Sequence, residues 1–130
     1  MKVIFDDKQP IFQQVAEVIE DDILNGVYNE GDQIISVSQF SKTSQINPAT
    51  ITKGIALLVN EGILYKKRGM GMYVHEGAKK KIMIKRRDRF YNELVQNLLD
   101  EAEKLKLNLN EVIEMIKQKK KELGYDEDNS

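Results

Sequence analysis

The stretch that decides the fold is "INPATITKGIALLVNEGILYKKRGMGMYV", residues 46–74. Asn47 is a favoured N-cap, and Pro48 at the first helical position gives up only an N–H that had no intrahelical partner. Ile51, Ile55 and Leu58 then recur at helical spacing until Gly62 stops the run, which predicts a short capped helix with one buried stripe. After it, "ILYKK" and "MYVHE" are two β-prone runs joined by "RGMG", whose glycines permit the positive backbone angles of a tight hairpin.

Working outward on the N-terminal side, Ser36 can cap another short helix, with Gln39 three residues on completing a capping box and Val37 and Phe40 facing inward. The interval from Ser36 to Asn47 leaves room for one short helix and a tight turn, which is helix-turn-helix spacing. A hairpin directly after the second helix of such a motif is a wing. Before it, Phe12, Val15, Ala16, Ile19 and Ile23 make the apolar face of a helix that ends at Asn25-Gly26, with the acids Glu17, Glu20, Asp21 and Asp22 on the other side. Gln33 to Ile35 is too short to be more than a strand fragment.

On the C-terminal side the composition changes at Gly77. A basic connector, 79–89, leads into "FYNELVQNLLDEAEKLKL", where Phe90, Leu94, Leu98, Ala102 and Leu105 share one face. Asn108 with Glu111 makes a further capping box, and Val112, Ile113 and Ile116 continue the pattern in a second helix. Two helices in one hairpin cannot bury both apolar faces between themselves, so a second copy is expected to cover them; folding back on the same chain is the alternative. The expected class is mainly α with a small β wing. Its divisions are a winged helix-turn-helix over 1–77, a helical dimerisation region over 78–124 and a disordered, solvated tail over 125–130.

Composition narrows the function. The chain has 130 residues, no cysteine and a net charge of −1, which leaves no thiolate metal site and points to a reducing cytoplasm. No run approaches the ~18–20 apolar residues of a membrane span, and nothing at the N-terminus has signal-peptide character. The lone His75 has no second histidine or cysteine to share a metal, and no nucleophile–base pair can be assembled, so neither an enzyme nor a cofactor is expected. Gly69-x-Gly71 lacks the remaining positions of a nucleotide loop.

Charge is polarised instead. Lys42, Lys53, Lys66, Lys67 and Arg68 stand against Glu61 alone between residues 42 and 73. A capped helix presenting Asn47, Ala49, Thr50, Thr52 and Lys53 could enter the major groove of a duplex, while Lys66, Lys67, Arg68, Gly69 and Gly71 of the hairpin approach its phosphates or minor groove. The plain alternative is a capped core helix and a solvated basic turn. The connector 79–89 could likewise follow flanking phosphates or simply be a solvated helix start.

Taken in order, "PIFQQVAEVIEDDILNGVYNEGDQI" and "SVSQFSKTSQINPATITKGIALLVNEGILYKKRGMGMYV" resemble the GntR family of bacterial transcription regulators, over roughly residues 10–75. The resemblance is carried by Gly-x-x-x-x-Gly-Asp, the Asn-Pro-x-Thr helix start, the Glu-Gly stop and the Arg-Gly-x-Gly-x-Tyr-Val wing. Asn47-Pro48-Ala49-Thr50 and the short tail look most like the YtrA subfamily. That resemblance implies a cytoplasmic homodimer that binds an inverted-repeat operator in double-stranded DNA and represses a transporter-type operon; it assigns no effector. It also brings Ser36 and Ser38 to the DNA, Ser38 standing where the family usually has arginine. Thr52 replaces another frequent arginine, Met70 a frequent lysine and Gly54 an alanine, whereas Lys53 and Arg68 match the pattern. A winged-helix module that binds protein and not DNA is the competing expectation.

Overall fold

The structure, a computed structural model, describes residues 9–125. The expected tail is therefore outside the described residues from position 126 onward. Elements run α1 (Ile11–Leu24), α2 (Val37–Ser44), α3 (Pro48–Asn60), β1 (Leu64–Lys67), β2 (Gly71–Val74), α4 (Ala78–Arg89), a π-helical segment (Phe90–Val95), α5 (Gln96–Lys104) and α6 (Leu109–Leu123). They divide into two compact units, Met1–Arg86 and Arg87–Ser130.

The first unit is a winged helix-turn-helix with its own core. Val15, Ile19 and Ile23 of α1, Phe40 of α2, and Ile51, Ile55 and Leu58 of α3 are buried together with Ile63, Leu64 and Val74 of the wing. Fully burying each large side chain contributes roughly 1.5–3 kcal/mol. The turn between α2 and α3 is only Gln45, Ile46 and Asn47, with Gln45 left-handed at φ 64°. Serines tighten it: Ser41 Oγ donates to the Ile46 carbonyl (2.6 Å), and Ser44 Oγ donates to the Phe40 carbonyl (2.7 Å).

Gly54 has a packing reason. A Cβ there would stand 2.7 Å from the Phe12 carbonyl oxygen and 3.0 Å from Val15 Cγ1, so any side chain would push α1 and α3 apart. The helix accepts a propensity cost of roughly 1 kcal/mol for that close approach.

The wing is an antiparallel pair in the register Leu64↔Val74, Tyr65↔Tyr73, Lys66↔Met72, Lys67↔Gly71. The strand fragment expected near Gln33 lies along β2: Gly31 N–H donates to the Val74 carbonyl, Val74 N–H to Asp32 and Ile34 N–H to Met72, each at 2.9–3.0 Å.

The basic connector is divided between the units. Its first part belongs to the first unit, where Ile82, like Ala78 just before it, is buried in the core. Glu30 caps α4 from 47 positions away, accepting from Gly77 N–H at 2.9 Å and Lys79 N–H at 3.4 Å. The first helix's acids do not all face water as the periodicity suggested. Glu20 is 1% exposed, and its carboxylate is shared by Lys85 and by Arg86, whose Nη2 lies at 3.0 Å. Arg86 also reaches Asp21 at 2.6 Å and the Glu17 carbonyl at 3.0 Å, while Lys85 meets Glu61 at 2.8 Å. Burial works to lower the Lys85 pKa, but the hydrogen bonds its ammonium donates to Glu20 and Glu61 outweigh it and hold the group above its ordinary 10.5. Arg86 is raised in the same way against its burial, by Asp21 and Glu20. These two cations are half-buried and engaged by acids within the unit, so they are not simply part of a solvated helix start.

In the second unit the expected single helix after Arg89 begins with a π-helical turn. Asn92 Nδ2 donates to the Asp88 carbonyl at 3.0 Å, the acceptor that an α-helix would give to the Asn92 N–H. A side chain competing for one carbonyl leaves no mark on apolar spacing. The Asn108–Glu111 capping box forms in both directions, at 2.8 and 3.1 Å. Only Ala102 and Val112 are buried in this unit among the described residues. Of the apolar positions expected at a dimer contact, Val112 is thus already covered by its own chain, whereas Phe90, Leu94, Leu98, Leu105, Ile113 and Ile116 are exposed. No helix among the described residues is long and apolar enough to cross a membrane.

Candidate nucleic-acid interface

The N-terminus of α3 is built as its sequence dictates. Asn47 Oδ1 accepts from Ala49 N–H at 2.8 Å, and Pro48 occupies the first turn. Asn47, Ala49, Thr52 and Lys53 are exposed, while Thr50 is half-buried. At the start of α2, Ser36 Oγ accepts from Gln39 N–H at 3.1 Å, and Ser38 is exposed two residues along. Neutral caps and free hydroxyls at two helix starts suit phosphate oxygens, and a helix N-terminus favours anions.

The hairpin adds charge. Lys66, Lys67, Arg68 and Gly69 are all exposed, and the turn closes through Met70 N–H to the Lys67 carbonyl at 2.9 Å, with Gly69 and Gly71 at φ +74° and +99°. Tyr65 and Tyr73 stack with ring centroids 5.8 Å apart, and Lys67 Nζ stands 5.0 Å above the Tyr73 ring. His75 presents its ring edgewise to Tyr65 at 5.5 Å, and its Nδ1 lies 3.0 Å from the Glu76 carbonyl.

Four of the residues named from sequence line one cleft of about 460 Å³: Ser36 from the start of α2, Thr52 from α3, and Lys66 and Gly71 from the wing. Lys53 is turned elsewhere, with its ammonium 4.2 Å above the ring of Phe12 on α1, a cation–π contact. Asn47 and Ala49 lie at the tip of α3, and Arg68 and Gly69 at the tip of the wing, beyond that cleft.

Sequence reasoning missed two contributors. Phe12 read as part of a buried stripe, yet it is half-exposed and carries Lys53. Gln33 lay in a fragment too short to show a face, yet its side chain reaches the wing tip. Neither has a local signal, because each acts on a residue 37 or more positions away.

Residues 11–74 match the sequence model of the bacterial regulatory proteins of the gntR family. The HTH-type transcriptional repressor YtrA of Bacillus subtilis (strain 168) is 30% identical over 91 residues, 70% of either chain. A GntR family transcriptional regulator from Listeria monocytogenes superposes with a TM-score of 0.72 at 31% identity, over 88% of this chain and 98% of that one. The DNA-binding domain of AraR, solved in complex with an operator, gives a TM-score of 0.52 at 28% identity, over 57% of this chain and 95% of its own.

Proposed function

Because this chain belongs to the GntR family, as a winged-helix DNA-binding transcription regulator and not an enzyme, we propose that it acts as a homodimeric repressor in the cytoplasm. Its operator is an inverted repeat, and the controlled genes are those of a transporter-type operon, as the likeness to the YtrA subfamily implies. Two copies of α3 enter successive major grooves about 34–36 Å apart, and the wings contact the adjacent backbone or minor groove.

The observation that carries this reading is the gathering of Ser36, Thr52, Lys66 and Gly71 from three elements around one exposed cleft, with the tips of α3 and the wing beyond it. Asn47, Ala49, Thr50 and Lys53 supply the groove-facing end of α3. Ser38 and the run Lys67-Arg68-Gly69 supply backbone contacts. Lys53 leaves the Phe12 ring for a phosphate or base edge when DNA is present.

Pairing is assigned to the helical region after the wing. Leu98 and Ile116 leave 44% and 49% of their surfaces in water, and Phe90 leaves 58%; a second copy offering the same face removes that exposure from both. An apolar groove of about 490 Å³ between α5 and α6, lined by Leu98, Leu105 and Ile116, gives such a face relief.

The test is footprinting of the full chain on its upstream DNA. Two protected half-sites one helical turn apart are expected, and protection of a single half-site by a monomer would overturn the dimeric mechanism.

A further inference from the structure

The wing tip is held from outside its own hairpin. Gln33 sits in the strand fragment before α2, its backbone bridged to Tyr73. Its side-chain Nε2 donates to the Met70 carbonyl at 2.6 Å. Gly71 makes the room for this: a Cβ there would lie 2.8 Å from Gln33 Nε2. The same fragment runs directly into α2. Ile35 N–H donates to the Tyr28 hydroxyl at 3.1 Å, and Ser36 caps the helix. One glutamine amide therefore ties the tip of the hairpin to the backbone that sets the start of α2.

We infer that Gln33 is a positioning residue for DNA binding, fixing the turn that carries Arg68 and Gly69 to the strand that leads into α2. The inference rests on the proposed role of the wing tip at DNA. A two-stranded hairpin is weakly stable on its own, and its turn is closed by the bond from Met70 N–H to the Lys67 carbonyl. Without the glutamine, the tip must be ordered at the moment of binding, and that entropy is subtracted from affinity. With it, Arg68 is offered on a turn already set. Gln33 is itself exposed, so its removal leaves the core intact.

The probe is a duplex recovered by selecting a random-sequence pool on the full wild-type chain. Gln33→Ala and Gln33→Glu, the second keeping the length but losing the donor, should each weaken binding about threefold to tenfold, the worth of one net hydrogen bond. Amide order parameters at residues 68–70 should fall in both variants, with helical circular dichroism unchanged and the thermal unfolding midpoint lowered by a few degrees at most. In an Arg68→Ala background, Gln33→Ala should have no further effect on affinity. A full-sized loss in that background would mean that Gln33 touches DNA directly, and unchanged order at the tip would mean that the amide holds nothing; either result overturns the inference. If Arg68→Ala itself leaves binding untouched, the role of the wing tip fails, and this inference with it.

Discussion

The two units of this chain treat apolar side chains in opposite ways. The first covers Phe40, Ile19, Ile51, Leu58 and Ile63 almost completely, whereas the second leaves Phe90, Leu94, Leu98, Leu105 and Ile116 open to solvent. Both obey the same helical periodicity, so the pattern of a sequence announces that a face will be buried without saying by what. The first unit answers with its own chain. Among the described residues the second buries only Ala102 and Val112, and the proposed second copy would supply the rest of its cover.

Substitutions can break that contrast from either side. The largest effect is expected at the self-contained core: Phe40→Ala should cost the first unit about 3–5 kcal/mol in a denaturant titration. Val112→Ala in the second unit should cost far less, because so little is packed around it. Next comes the pair Leu98→Glu and Ile116→Glu, both at exposed positions. Together they should convert a dimer to a monomer in sedimentation while near-unchanged circular dichroism reports an intact head. Operator affinity should fall by about 10²-fold or more as the two heads lose their linkage.

A smaller change sharpens the comparison inside the head. Gly54→Ala, which raises helix propensity, should nevertheless destabilise by about 1–3 kcal/mol, because the new methyl meets the Phe12 carbonyl. A gain in stability would mean that α1 can retreat at no cost. The smallest effect concerns pH. Lys85 has a raised pKa in the folded state, so its contribution is complete below the ordinary 10.5 and is lost as pH rises through the folded value. Denaturant midpoints should therefore slip in strongly alkaline buffer, and Lys85→Met should flatten that slope.

Local signals made much of the head legible. Ser36, Asn47 and Asn108 cap the helices that their spacing predicts, and the glycines of "RGMG" take the positive angles of the turn. What escaped was set by partners far along the chain. Glu20 looked like one acid among four on a wet face until Lys85 and Arg86 were brought to it, and Lys53 looked free until Phe12 came beneath it. The π-helical turn was invisible for a different reason: apolar spacing does not record a one-residue shift in backbone bonding, nor the amide of Asn92 reaching the Asp88 carbonyl beside it. Of the candidate site, residue types and their exposure at the tips could be read; which of them share a cleft could not.

The carboxylate of Glu20 has a practical consequence for dissecting the molecule. A fragment cut at Gly77, where composition changes, would strip Ala78 and Ile82 from the core and leave an acid in an apolar wall with both of its counter-charges removed. A fragment meant to keep that core and the Glu20 ion pairs whole therefore has to run at least through Arg86, and poor binding by a shorter piece would not by itself count against the DNA-facing surface.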